Sequence, residues 1–294
     1  MATKTRKSFS SKKFTAEQKA EYHAQQREEA GQRLEQAVSE LQSSDGFARW
    51  LQLRSKFRNY SLNNTFLIQI QCPDATAVTS GKKWNELGRS IIKGETAIRI
   101  FAPMEWFVKC DESDQGARWN AKRERFERKI RTFKLVPVFD VSQTHGDELA
   151  EPPAPVEPNG DSHAHLEPAL VTLASELGFE VRTETLPDDL GGYCDHANKV
   201  IAIASSASAN ARVRVLVHEI AHALGIGYAQ FGRKLAEVLV ESVTYIVLAG
   251  QGFELDASSV PYIAGWASGT DAAAKMREFA ETIDTVARRI EGAL

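Results

Sequence analysis

Apolar residues recur at helical spacing along much of this chain and alternate with polar ones only in its middle. Residues 15–18, TAEQ, have the spacing of a capping box, and a polar helix is predicted from there to about residue 41, with a thin apolar face of Tyr22, Leu34, Val38 and Leu41. Ser43, Ser44 and Asp45 offer the next N-cap, ahead of a stripe of Phe47, Trp50, Leu51, Leu53 and Phe57. A short helix over 62–71 ends before Pro73. Between residues 76 and 141 the pattern changes to short β-type runs, AIRIFAP, EWFVKC and FKLVPVFDV, separated by polar segments. Helical periodicity returns over 169–177, 210–224, 233–249 and 272–294, with Gly178, Gly225 and Gly250 placed where glycines close helices. The last of these puts Met276, Phe279, Ile283, Val286 and Ile290 on one face. FEVRTETL reads as a strand, and GYCDHANKVIAIA as a turn, tight at Ala197, Asn198 and Lys199, that leads into a second strand.

These elements predict an α+β chain in two domains, over 15–142 and 167–294. A disordered basic tail (1–14) precedes them, and a linker over 143–166 carrying Pro152, Pro153, Pro155 and Pro158 joins them. His163 and His165 fall in that linker and read as solvated rather than metal-binding. The formal net charge of −3 hides an asymmetry: residues 1–141 hold 26 Lys and Arg against 17 Asp and Glu, and residues 142–294 hold 10 against 22. No apolar run approaches the roughly 18 residues needed to span a bilayer, so no membrane partner is expected. Cys72, Cys110 and Cys194 are isolated and odd in number, which argues against a disulfide framework and for a reducing, cytoplasmic setting.

The chemistry concentrates in VHEIAHALGIG, residues 217–227. Positions i and i+4 of a helix share one face, so His218 and His222 can aim imidazole nitrogens at one ion. Glu219 flanks that face and is placed to take a proton from water activated by the metal. A third ligand is needed, and the next helix offers Glu237 and Glu241, again i and i+4, on an otherwise apolar surface. Two carboxylates there are costly without a charge partner, and a divalent cation is one. Glu237 is assigned as third ligand and Glu241 as the acceptor that fixes a ligand histidine's tautomer. E-x-x-x-[DE] after HExxH is similar to the arrangement in thermolysin-like gluzincins, which supports this order; the swapped assignment stays open. One divalent ion, Zn2+ first, with Mn2+ or Co2+ also suited to these donors, is expected. Tyr245, Tyr193 and His196 are candidates for stabilising an oxyanion, and nothing in the sequence chooses among them.

The basic half mixes cations with aromatics, as single-stranded nucleic acid requires. Trp50, Phe57 and Trp84 lie on or beside apolar stripes and read as core. Arg54, Lys56, Arg58, Lys82, Lys83 and Lys93 are the candidate phosphate contacts, with Tyr60, Asn63 and Asn64 placed for bases. The strings NYSLNN…LIQIQ.P.AT.V, W.ELGR.I.KGE.AI.I.AP and VPVFDVSQT resemble the N-terminal domain of the ArdC-like antirestriction proteins. The resemblance covers about residues 45–145 and 205–250. It implies an N-terminal α+β ssDNA-binding domain and a C-terminal, mainly helical, zincin-like metallopeptidase domain with a small β-sheet, related to ImmA/IrrE-like peptidases. It implies protection of mobile-element DNA from restriction, a metal held by His218, His222 and a downstream acid, and Glu219 as the catalytic group. A charged insert over 111–128 and the Pro-rich linker depart from the family pattern. Two other readings are a regulatory peptidase with one protein substrate, and a non-catalytic ssDNA coat protein with a structural metal site.

Overall fold

In the computed structural model, which describes residues 16–149, 160–257, 260–261, 263–267 and 270–294, the periodic stretches form helices. The predicted basic tail, Thr15 of the capping box and the four linker prolines lie outside the described residues. Helices α1 (Ala16–Glu40), α2 (Ser44–Lys56) and α3 (Leu62–Gln71) open the chain. The Ser43 side chain accepts from Gly46 N to cap α2, and Ser61 accepts from Asn64 N to cap α3. Strand β1 (Val78–Thr79), helix α4 (Gly81–Glu86) and strand β2 (Arg89–Ile91) lead into a long ribbon of β3 (Ile98–Lys109) and β5 (Arg125–Asp140), with β4 (Arg118–Asn120) between them in sequence. β3 and β4 each pair antiparallel with β5, β1 pairs with its far end, and β2 pairs with β6 (Thr144–Gly146).

AIRIFAP and EWFVKC, expected as separate runs, form one continuous strand through Pro103. Proline is tolerated because β3 lies at a sheet edge, where a missing N–H breaks no ladder. The charged insert also carries more structure than its pattern suggested: β4 and the first residues of β5 pair within it.

The second half begins with α5 (Glu167–Glu176) and a three-stranded sheet, order β7-β9-β8, of β7 (Glu180–Glu184), β8 (Gly192–Asp195) and β9 (Val200–Ala204). The expected turn before β9 is pinned by Asp195, whose Oδ1 accepts from Ala197 N and Asn198 N, while Lys199 takes a positive φ of 56°. Helices α6 (Ala209–Ala223), α7 (Tyr228–Phe231), α8 (Arg233–Gly250) and α9 (Ala272–Glu291) complete the chain.

A single large core joins the two halves. Phe47, Trp50 and Leu51 of α2 and Phe66 of α3 share one buried cluster with Leu216 and Ile220 of α6, Leu239 and Val243 of α8 and Ile283 of α9, with α8 packed against both α2 and α6. The opposite faces of the same two helices, through Leu53, Leu67 and Ile68, join a smaller core with Val78, Ile98, Ile100 and Val138 at the root of the ribbon. Trp50, Phe57 and Trp84 are buried, as their stripes predicted. Among the described residues no helix is long and apolar enough to cross a membrane. The three cysteines are free and half-buried.

Candidate metal centre

Helix α6 starts where Ser208 accepts from Ala211 N, and it ends at Gly225, whose φ of 113° only glycine adopts without strain. Val213, Leu216, Val217 and Ile220 are completely buried on one face. At about 1.5–3 kcal/mol each, their burial locks the rotation of the helix. His218 and His222 therefore project together, with ring centroids 5.2 Å apart. Helix α8 packs alongside and presents Glu237 between them: its Oε2 lies 3.4 Å from His218 Nε2 and its Oε1 lies 3.7 Å from His222 Nε2. One ligating atom from each of His218, His222 and Glu237 falls within 4.8 Å of the others.

The histidine rings are oriented for ligation. His222 Nδ1 lies 2.8 Å from the Ile226 carbonyl, which can only accept, so the proton sits on Nδ1 and leaves the Nε2 lone pair free. Burial lowers the pKa of His218, as do His222 and Arg214, against the opposing pull of Glu241 and Glu237. Glu241 Oε1 stands 4.0 Å from His218 Nδ1 and accepts from Arg214 Nη2 at 3.1 Å. It is therefore the outer of the two acids, facing the back of a ligating ring.

Glu219 is buried, and burial, with the Glu237 charge adding to it, pushes its carboxyl up to about 7. It lines a cavity of about 430 Å³ together with His218, His222, Glu237, Tyr228 and Cys194. The Cys194 thiol is pushed up to about 12, first by burial and then by Glu219, so without a metal it stays protonated near neutral pH.

The oxyanion candidates separate clearly. Tyr245 is buried and does not line the cavity, which removes it. Tyr193 lines the cavity but donates its hydroxyl to Glu184 Oε2 at 3.1 Å, and the His196 ring stands edge-on to Phe179. A residue that sequence reasoning missed, Tyr228, sits over the His222 ring at 5.2 Å and donates to Glu237 Oε1 at 2.5 Å. Burial and that bond push its pKa up to about 12, so it stays a donor. It lies on a four-residue helix with no periodic signal; the only sequence cue was an aromatic residue directly after the Gly225-Ile226-Gly227 turn.

The proposed nucleic-acid contacts scatter. Arg54 is fully buried, with Nε bonded to Asp284 and both Nη atoms to Glu291 at 3.1 and 2.7 Å. It is a core ion pair and cannot meet a phosphate. Asn64 is buried and holds the Phe101 backbone through both its amide atoms. Tyr60 donates to the Val78 carbonyl, and Asn63 accepts from Arg277. These three serve packing rather than reaching out for bases. Lys56, Arg58, Lys82, Lys83 and Lys93 are exposed, with Lys82 and Lys83 both near Glu86. His163, expected in solvent, packs edge-on against Phe253, and its Nε2 lies 2.9 Å from the Gln251 carbonyl.

Residues 12–139 match the family described as the N-terminal domain of anti-restriction factor ArdC. The uncharacterized protein pXO2-81 of Bacillus anthracis is 23% identical over 88% of this chain, and the chain spans about half (49%) of that relative's length. Two crystal structures of the antirestriction ArdC protein from the R388 plasmid are similar. The metal-free one has TM-score 0.43 and 18% identity over 80% of this chain and 82% of that one. The Mn(II)-bound one has TM-score 0.43 and 17% identity over 80% and 85%.

Proposed function

We propose, from the premise that the chain is an ArdC-like protein, that it is an antirestriction-type protein in which an N-terminal domain that binds single-stranded DNA is joined to a zincin-like, divalent-metal-dependent peptidase centre. The observation that carries the enzymatic part is the convergence of His218, His222 and Glu237 on one point beside a buried Glu219. Two neutral imidazole nitrogens and one carboxylate suit a single divalent ion, Zn2+, Mn2+ or Co2+. When bound, such an ion supplies Lewis acidity and makes hydroxide available near neutral pH.

The chain's own residues do the rest. Glu219, with its carboxyl near 7, is poised to take up a proton at ordinary pH and to hand it on to a leaving group. Tyr228, held protonated in the cavity wall, donates to Glu237 and would serve an oxygen that gains charge by turning its one proton away from that carboxylate. β8 is an edge strand, and Gly192, Tyr193 and Cys194 from it line the cavity. An extended peptide could pair with such an edge, which favours a protein substrate.

The test compares wild type with Glu219→Gln in a restriction-protection assay, with metal content and oligonucleotide affinity measured on the same preparations. The variant is expected to keep its metal and its DNA affinity, to lose proteolysis by about 10²–10⁴-fold, and to lose protection. Protection that survives the substitution would assign the effect to DNA coating and leave the metal site a structural role.

A further inference from the structure

The ribbon of β3, β4 and β5 extends beyond the smaller core, and its two faces differ. The register of β3 against β5 runs without a bulge from Ile98↔Val138 to Lys109↔Glu127, so alternate residues share a face. At the root, Ile98, Ile100 and Val138 turn one face onto α3. Toward the tip that same face carries Met104, Trp106 and Val108 from β3, Phe126, Arg128, Ile130, Thr132 and Lys134 from β5, and Trp119, which stands opposite Phe126 on β4. It holds no acidic residue over this stretch. Trp106 is 40% exposed and Trp119 is 56% exposed, the latter braced edge-on by Phe126 at 5.1 Å. Arg128 falls between the two tryptophans in register, and neither Arg128 nor Lys134 pairs with a carboxylate among the described residues. The other face also exposes Phe107 and Phe133, but acids take up four of its cations: Glu105 takes Lys129 and Arg131, and Glu127 takes Arg123 and Arg125.

We infer that the acid-free face of the ribbon is where single-stranded nucleic acid stacks, with unpaired bases on Trp106 and Trp119 and phosphates along Arg128 and Lys134. This rests on the reading that the chain binds single-stranded DNA, and it moves the contact away from the helices that carry Arg54 and Asn64. Large apolar rings in water with free cations between them match the two needs of an unpaired strand, a π-face for each base and a counter-charge for each phosphate. A duplex offers no base faces, so the surface favours single strands. The insert over 111–128 supplies Trp119, Phe126 and Arg128, which makes this platform a property of this chain's own insert.

The experiment measures binding of the full chain to a fluorescein-labelled oligo(dT) of about 20 nucleotides, and to a duplex of equal length, over a range of salt concentrations. Wild type is expected to bind the single strand with strong salt dependence and to show tryptophan quenching on binding. Trp106→Ala and Trp119→Ala are each expected to weaken binding by about 5- to 100-fold, with Trp119→Phe retaining most of the affinity. Arg128→Ala should flatten the plot of log affinity against log salt by about 0.7. All four changes are on exposed side chains, and unchanged thermal melts check that the fold is intact. If the Trp106→Ala/Trp119→Ala protein binds and quenches as wild type does, the platform is wrong while DNA binding by the chain stands. If wild type fails to bind at low salt, or binds duplex equally well, the single-strand reading falls and the platform with it.

Discussion

Among the described residues, two clusters of charge at the helices of the large core behave in opposite ways. In the first, Arg54 of α2 meets Asp284 and Glu291 of α9, and Arg288 closes the group by bonding Asp284 and the carbonyls of Arg58 and Tyr60. Burial works against the Arg54 charge, but the Glu291 and Asp284 carboxylates outweigh it and its pKa is raised. In the second cluster, His218, His222, Glu219 and Glu237 turn toward one cavity, and burial leaves the Glu219 carboxyl near 7. A closed cluster is structure, because every group has spent its bonding capacity inside the protein. An open one is a site, because its groups keep capacity for something that arrives.

The sharpest way to break this comparison is to open the closed cluster. Arg54→Ala leaves Asp284 and Glu291 as buried carboxylates without their main partner, so a loss of about 3–5 kcal/mol is expected. Urea denaturation of the full chain checks it. A loss below about 1 kcal/mol would mean that the pair behaves as a surface ion pair, and the distinction between closed and open would fail at its strongest point.

The same contrast explains what the sequence could and could not tell. The open cluster was legible: H-E-x-x-H at one-turn spacing and two acids on an apolar helix announce convergence, because an α-helix fixes which side chains share a face. Glu237 stands between the two histidines and Glu241 faces the back of the His218 ring. The closed cluster was not legible. Arg54 sits among cations and aromatics, and its partners stand more than two hundred residues away on α9. A one-dimensional pattern cannot separate a buried arginine from a phosphate contact when the neutralising acids are that remote. Tyr228 was hidden for a different reason: it lies on a connection too short to show a period. The return of the ribbon over 118–132 escaped because an exposed strand has no core to face, so charges such as Arg125, Lys129 and Arg131 replace the apolar alternation that marks a strand.

A third buried charge extends the rule to the ribbon's root. Asp140 is buried, and burial alone would raise its pKa. Bonds from the backbone N–H groups of Ser142, Ala77 and Thr76, at 3.0, 2.9 and 2.8 Å, overcome that and lower it. Asp140→Asn should cost about 2 kcal/mol at pH 6, since those donors lose a charged acceptor. A folded pKa below the unfolded value of about 3.9 gives stability that is complete above that value and lost as pH falls through the lower, folded one. The gap between wild type and variant in urea midpoint should therefore shrink at strongly acid pH. A gap that stays constant would show that shape, not charge, is what the three N–H groups hold.

The smallest effect expected is also the one of opposite sign. Glu219→Gln removes a carboxylate whose charge burial disfavours and the nearby Glu237 charge opposes. In metal-free protein at pH 8, where wild type must hold that charge in the cavity wall, the variant should be more stable by about 1 kcal/mol, as removal of a strained, functional group commonly gives. Thermal melts in chelator check it, with Arg54→Ala run alongside. Function and stability pull apart at an open cluster and together at a closed one. A Glu219→Gln protein that loses stability as Arg54→Ala does would show that Glu219 is held by partners inside the protein, and that the cavity is a packing feature with histidines in it rather than a centre waiting for a metal and a substrate.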